Sequence, residues 1–203
     1  MLSQEDKDII IEAINAGGDI WNNKILKPVK AKIKNHHRGI QKESCCYCKK
    51  DTQGEFKMVL DIEHILPKSH PKFIEHMFTI CNLSVSCKRC NMNIKRTRTD
   101  FVFDIDLAAE NPCDSNLFKL IHPNSDNYYD HIQYIVEIAN DCRLIKYIPV
   151  NSSTKGVYTY EFFHLSELER EALDESQGAE TVNISDSIQP EIANEIRNLL
   201  REK

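Results

Sequence analysis

A chain of 203 residues, 41% hydrophobic and 28% charged, can bury a core without disulfide staples, and its composition excludes fibrous, low-complexity and disordered classes. No apolar run approaches the roughly 18 residues that a membrane-spanning helix needs, so no membrane partner is expected. The net charge of −5 speaks against a nucleic-acid binder, but 17 Lys and Arg against 6 Asp and Glu lie between Ile20 and Arg98, leaving that stretch at +11 and the flanks at −16. A basic middle between acidic flanks suggests one face that meets a polyanion; chance clustering on a solvated surface is the plainer alternative.

The opening "MLSQEDKDII" is acidic and has no basic segment followed by an apolar one, so it reads as a chain without a signal peptide. The cytoplasm is then the expected location, with cysteines kept reduced. Residues 4 to 16 place Ile9, Ile10, Ala13 and Ile14 at helical spacing before Gly17 and Gly18 stop the helix. The run from Ile20 to Lys42 holds seven Lys or Arg and no acid, with Pro28 opening a second helix and Gly39 near its end. Within it, Lys24, Lys27, Lys30, Lys32, Lys34 and Arg38 are candidate contacts for phosphate or for an acidic partner.

Residues 43 to 100 are rich in Cys, His and Asn. Cys45-x-x-Cys48 is matched by Cys87-x-x-Cys90, and two such turns can converge on one tetrahedral zinc through four thiolates. The 38 intervening residues exceed the gap of a simple zinc ribbon, so an insert must lie between them. Thiol redox chemistry and buried free thiols are the competing readings. Cys46 lacks the right spacing to Cys48 and reads as a bystander, and Cys81, Cys113 and Cys142 read as buried thiols. The insert begins with "FKMVLDIEHILP", a strand that ends at Pro67, and the second knuckle opens "KRCNMNIKRTR", a short basic helix.

Past Asp100, "HIQYIVEIA" and "CRLIKYIPV" read as two strands and "VYTYEFFHL" as a third. "SELEREALDES" reads as a helix capped by Ser166 with Glu169 completing a capping box. "QGAETVNISDS" reads as a loop, and a final amphipathic helix places Ile188, Ile192, Ile196 and Leu199 on one stripe, to be covered by the chain itself or by a partner. In "IHPNSDNYYDHI", His122, Asp126 and His131 could ligate a metal, but pinning strands to the core is the preferred reading.

The elements Glu63-His64-Ile65-Leu66-Pro67, Asn82-Leu83, and Cys87-Lys88-Arg89-Cys90-Asn91 with Lys95 resemble, in order and spacing, the HNH or ββα-metal endonucleases. The resemblance covers residues 45 to 96. It implies an α+β fold: a ββα-metal nuclease core with a four-cysteine zinc knuckle pair, flanked by helices and a small β-rich C-terminal region. The corresponding segments are a basic helical one at 1–42, the nuclease module at 43–100, accessory strands and a helix at 101–176, and a loop and helix at 177–203.

It further implies hydrolysis of phosphodiester bonds with His64 as general base. Glu63 and Asn91 offer hard oxygen ligands to one Mg2+ or Mn2+, with Asp61 a second-tier ligand because it lies two residues earlier on the strand. Many relatives have Asp where this chain has Glu63. Asn82 takes the position of the family's middle Asn, which fixes the backbone of the His-bearing strand; an ordinary turn Asn is the alternative. Lys95 is a candidate phosphate contact or else a solvated lysine, and Lys88, Arg89 and Arg96 join the basic run as candidate nucleic-acid contacts. More loosely, the layout resembles HNH proteins paired with ATPases in Septu-type and retron-associated anti-phage systems, which implies an ATPase partner. A catalytically silent zinc module that binds nucleic acid or protein is the competing function.

Overall fold

The computed structural model describes residues 1–56, 58–139, 142–150 and 152–170. The loop and the apolar stripe expected beyond residue 176 lie outside the described residues. The fold is α+β, with two separate two-stranded antiparallel sheets among helices.

Helix α1 (Gln4–Ala16) starts at Ser3, whose hydroxyl accepts from the Asp6 N–H while the Asp6 carboxylate accepts from the Ser3 N–H. It buries Ile10 and Ala13 and ends at Gly17, which adopts a positive φ of 68°. Helix α2 (Lys27–Ile40) carries Pro28 in its first turn, where a missing N–H costs nothing. Val29, Ile33 and His37 recur at spacings of four and form its buried face. With Ile10, Ala13, Leu26 and Leu83, Val29 and Ile33 make a small core beside the first sheet.

That sheet pairs β1 (Leu60–His64) with β2 (Leu83–Cys87), with Glu63 opposite Ser84 and His64 opposite Leu83. A π-helical segment, Arg89–Lys95, follows β2 directly. Its wide turn is the type of helix that recurs at functional sites. The second sheet pairs β3 (Ile132–Ala139) with β4 (Cys142–Pro149), after α3 (Ile105–Glu110). The larger core lies between these parts and joins Tyr47, Leu60, Val85, Phe101, Phe118 and Phe163 around the cysteine turns.

Three expectations are overturned. "VYTYEFFHL" is not a strand, because residues Thr154–Phe162 form helix α4, capped by the Ser153 hydroxyl on the Gly156 N–H. The β-branched and aromatic residues misled, since tertiary packing decides such short apolar runs. Gly156 belongs to this docking: a Cβ there would stand 2.3 Å from the His131 carbonyl oxygen. Ser166 does not cap a helix. Leu165–Leu168 is a single 3-10 turn, Glu169 is extended, and Arg170 pairs with Ile145 on β4.

The third correction concerns the thiols. Cys81 and Cys113 are joined in a disulfide across 32 residues, with Cα atoms 5.6 Å apart. It ties the segment entering β2 to the residues after α3. Nothing in the local spacing of these two cysteines marks the pair, because the contact is made by the tertiary path of the chain. Nothing is described of the Cys142 side chain.

Candidate functional site

The two knuckles meet. The Sγ atoms of Cys45, Cys48, Cys87 and Cys90 lie within 4.8 Å of one another and all four residues are buried. A tetrahedral zinc with about 2.3 Å bonds to sulfur requires S···S separations of about 3.8 Å; Cys48 and Cys87 stand at 3.8 Å. The first turn closes through the Lys49 N–H donating to the Cys45 carbonyl at 3.0 Å, and the Cys46 N–H docks it on the Val85 carbonyl of β2. The Cys87 N–H points at Cys45 Sγ at 3.3 Å, a donor that favours the thiolate. The set is therefore positioned to hold one metal ion and is compatible with structural zinc.

β1 presents different chemistry on its two faces, as alternation requires. On one face, Ile62 and His64 turn toward Trp21 and the small core. The Trp21 and His64 rings meet edge to face at 4.4 Å. His64 Nε2 lies 3.1 Å from the Met77 carbonyl oxygen. A carbonyl only accepts, so Nε2 carries the hydrogen, and Nδ1 is left with the lone pair and no partner among the described residues. Burial, and then the positive charge of Lys68, hold the His64 pKa down at about 3, so the ring is neutral at pH 7.

On the other face, Glu63 is 1% exposed. Its Oε1 takes the Lys95 ammonium at 2.7 Å and the Tyr47 hydroxyl at 3.0 Å. Burial raises the Glu63 pKa, against the lowering effect of Lys95. Two residues earlier, Asp61 faces Lys88 at 3.4 Å.

Glu63, His64, Asp61 and Asn91 all line one cleft of about 800 Å3, with Trp21 and Lys68 on its walls. Lys30, Lys34, Lys88 and Arg96 line it as well. Lys30 stands over the Trp21 ring at 4.8 Å and donates to the Trp21 carbonyl at 3.2 Å, while Lys34 donates to the Leu60 carbonyl. The Arg96 guanidinium donates only to the Met92 carbonyl among the described residues.

Other expected site residues do other work. Asn82 is fully buried: its Oδ1 accepts the Leu66 N–H at 2.7 Å, and its amide donates to the Leu66 and His76 carbonyls. It thus fixes the chain as it leaves β1. Lys95 is neither solvated nor open to a phosphate; it is 1% exposed and donates to the His64 carbonyl at 2.8 Å as well as to Glu63. Arg89 forks onto the Phe163 and His164 carbonyls beyond α4 and onto Glu167, so it is a strut and not a groove contact. Lys32 pairs with Asp6 at 2.6 Å and Arg38 with Glu43 at 2.5 Å, both away from the cleft. His122, Asp126 and His131 do not converge. Asp126 accepts from the His122 N–H and from Lys155, and His131 meets the Ser153 hydroxyl.

Sequence reasoning missed Trp21, Lys68 and Tyr47. Trp21 is the chain's single tryptophan, inside the acid-free run, and Tyr47 stands inside the first knuckle; both positions carried a signal. Comparison with protein-family models, curated proteins and solved structures finds no match to this chain.

Proposed function

We propose that this protein is a metal-dependent endonuclease of the HNH type, hydrolysing phosphodiester bonds in nucleic acid with His64 as general base. The observation that carries the reading is the placement of His64: its Nε2 meets the Met77 carbonyl and its Nδ1 has no partner among the described residues, in a cleft shared with Glu63, Asn91 and several cations. Nδ1 takes the proton of an attacking water as its oxygen bonds to phosphorus and the P–O bond to the leaving sugar oxygen breaks. Lys68 and Arg96 attract the polyanion, and Trp21 keeps the imidazole upright. The donors fit a hard divalent ion: a carboxylate at Glu63 and an amide oxygen at Asn91, with Asp61 nearby in the same cleft. Such an ion, Mg2+ or Mn2+, supplies positive charge to the phosphate and to the leaving oxygen.

The test is a cleavage panel of plasmid, single-stranded DNA and tRNA with Mg2+ or Mn2+. His64→Ala should lose cleavage and keep binding in protein shown by melting to be folded at the assay temperature. A His64→Ala protein that cuts at the wild-type rate sinks the proposal. A catalytically silent zinc module is the second reading, favoured by the burial of Glu63 in an ion pair, and it predicts binding without cleavage. The looser resemblance extends the proposal to a role in anti-phage defence with an ATPase partner, tested by adding the co-expressed partner to the same panel.

A further inference from the structure

Glu63 reaches the cleft with one of its two oxygens already engaged. Oε1 accepts from two donors that are themselves sealed in the protein, Lys95 and Tyr47, each 1% exposed. Oε2 has no hydrogen-bond partner among the described residues, and Glu63, though only 1% exposed, lines the cleft, so Oε2 is the carboxylate oxygen left for a ligand there. The two donors hold the carboxylate from different directions. Lys95 comes from the end of the π-helical segment that also carries Asn91, and its Nζ is fixed further by the His64 carbonyl and by the Phe101 ring at 5.7 Å. Tyr47 comes from the first cysteine turn, between Cys45 and Cys48, with its ring stacked on Phe163 at 4.2 Å.

We infer that Tyr47 and Lys95 are positioning residues that clamp Oε1 of Glu63, so that this carboxylate offers only Oε2 to a divalent cation in the cleft. This rests on the nuclease reading and adds to it a reason for the place of the four-cysteine site. Cys45 and Cys48 flank Tyr47, so whatever holds their sulfurs holds the phenol against Glu63. The cysteine site then orients a cleft ligand as well as stabilising the fold. A carboxylate whose charge is shared with a buried ammonium binds a cation less tightly than a free one, and its single open oxygen fixes the direction of approach.

Mn2+ is the probe, titrated into the full zinc-loaded chain and followed by the loss of the free-ion electron paramagnetic resonance signal. Tyr47→Phe removes one hydroxyl and keeps the ring that stacks on Phe163, so it separates positioning from packing. Loss of a hydrogen bond to a metal-ligating group costs about tenfold or more in metal affinity. The expected result is that weakening in Tyr47→Phe, with the zinc content of the wild type in folded protein, and no Mn2+ bound in Glu63→Gln. Wild-type Mn2+ affinity in Tyr47→Phe, with binding lost in Glu63→Gln, overturns the clamp and leaves the nuclease reading standing. Mn2+ binding that ignores Glu63→Gln, or no binding by the wild type, overturns Glu63 as a ligand and the clamp with it.

Discussion

Lys95 Nζ lies 2.7 Å from Glu63 Oε1, and both side chains are 1% exposed. Removing one partner of such a pair leaves a charge that meets water only at the edge of the cleft, which costs up to about 3–5 kcal/mol. Lys95→Met should therefore lower stability by about that much in urea denaturation. Neutralising the stranded carboxylate in the double variant Glu63→Gln/Lys95→Met should recover most of the loss. Equal destabilisation by the single and double variants would mean that Lys95 matters for its packing and not for its charge.

The four cysteines should hold about one zinc per chain in protein purified without added metal, as measured by elemental analysis. Cys90→Ser should lose that zinc and lower the melting temperature, because the site joins the first turn to the start of the π-helical segment. Folded wild-type protein that carries no metal would remove zinc as the ligand of this cluster.

How much of this was legible in the sequence depended on whether the signal was local. The cysteine pairs, α1 and the β3–β4 hairpin follow from spacing and alternation, and the structure has them where those patterns put them. The residues of α4 did not follow, because Val157, Tyr158 and Tyr160 favour strands until Gly156 docks on His131 and Ser153 caps the helix. The Cys81–Cys113 bond, the burial of Lys95 and the strut made by Arg89 were invisible for one shared reason: each depends on a partner brought near by the tertiary path, 32, 32 and 74 or more residues away. In the site, the residue types Glu63, His64 and Asn91 could be read, but the tautomer of His64 depends on Met77, which no pattern announces, and the engagement of Glu63 Oε1 on Tyr47, whose place in the first knuckle gives no sign of which carboxylate it meets.

Tyr128 is buried at 5% exposure, and its hydroxyl finds no hydrogen-bond partner among the described residues. An unpaired buried hydroxyl costs about 1–3 kcal/mol of desolvation, whereas an apolar group of the same shape costs none. Tyr128→Phe should therefore raise stability, by about 1 kcal/mol, in a denaturant titration. A loss of stability would show that the hydroxyl has a partner, such as a buried water.

Acid should destabilise this fold through its buried histidines. Burial, and then His36, hold the His37 pKa down at about 4; burial likewise holds His122 at about 4, opposed by Asp126. The unfolded chain takes protons below the ordinary histidine value of about 6.5, while the folded state takes them only near 4, so stability falls across that window as pH drops and levels off below it. Neither ring should change stability above about pH 7. Unfolding free energies for the wild type and His37→Leu at fixed zinc, from pH 7.5 to about 4.5, isolate the His37 part. The variant should show the shallower slope, and parallel slopes would place the His37 proton elsewhere.

The basic stretch should divide into working and spent cations. Lys68 and Arg96 line the cleft, with no carboxylate paired to either among the described residues, whereas Lys32 and Arg38 already face Asp6 and Glu43 away from it. A cation that neutralises a phosphate releases a counterion, so removing it weakens binding alike for every sequence and reduces the slope of log affinity against log salt by about 1. Lys68→Ala and Arg96→Ala should each do this in fluorescence anisotropy with a labelled oligonucleotide. Lys32→Ala should leave the slope unchanged and should instead lower stability slightly, since its partner Asp6 completes the capping box that Ser3 opens at the start of α1. Equal effects from all three variants would mean that binding follows the net charge of the stretch and that the cleft has no privileged contact with the backbone.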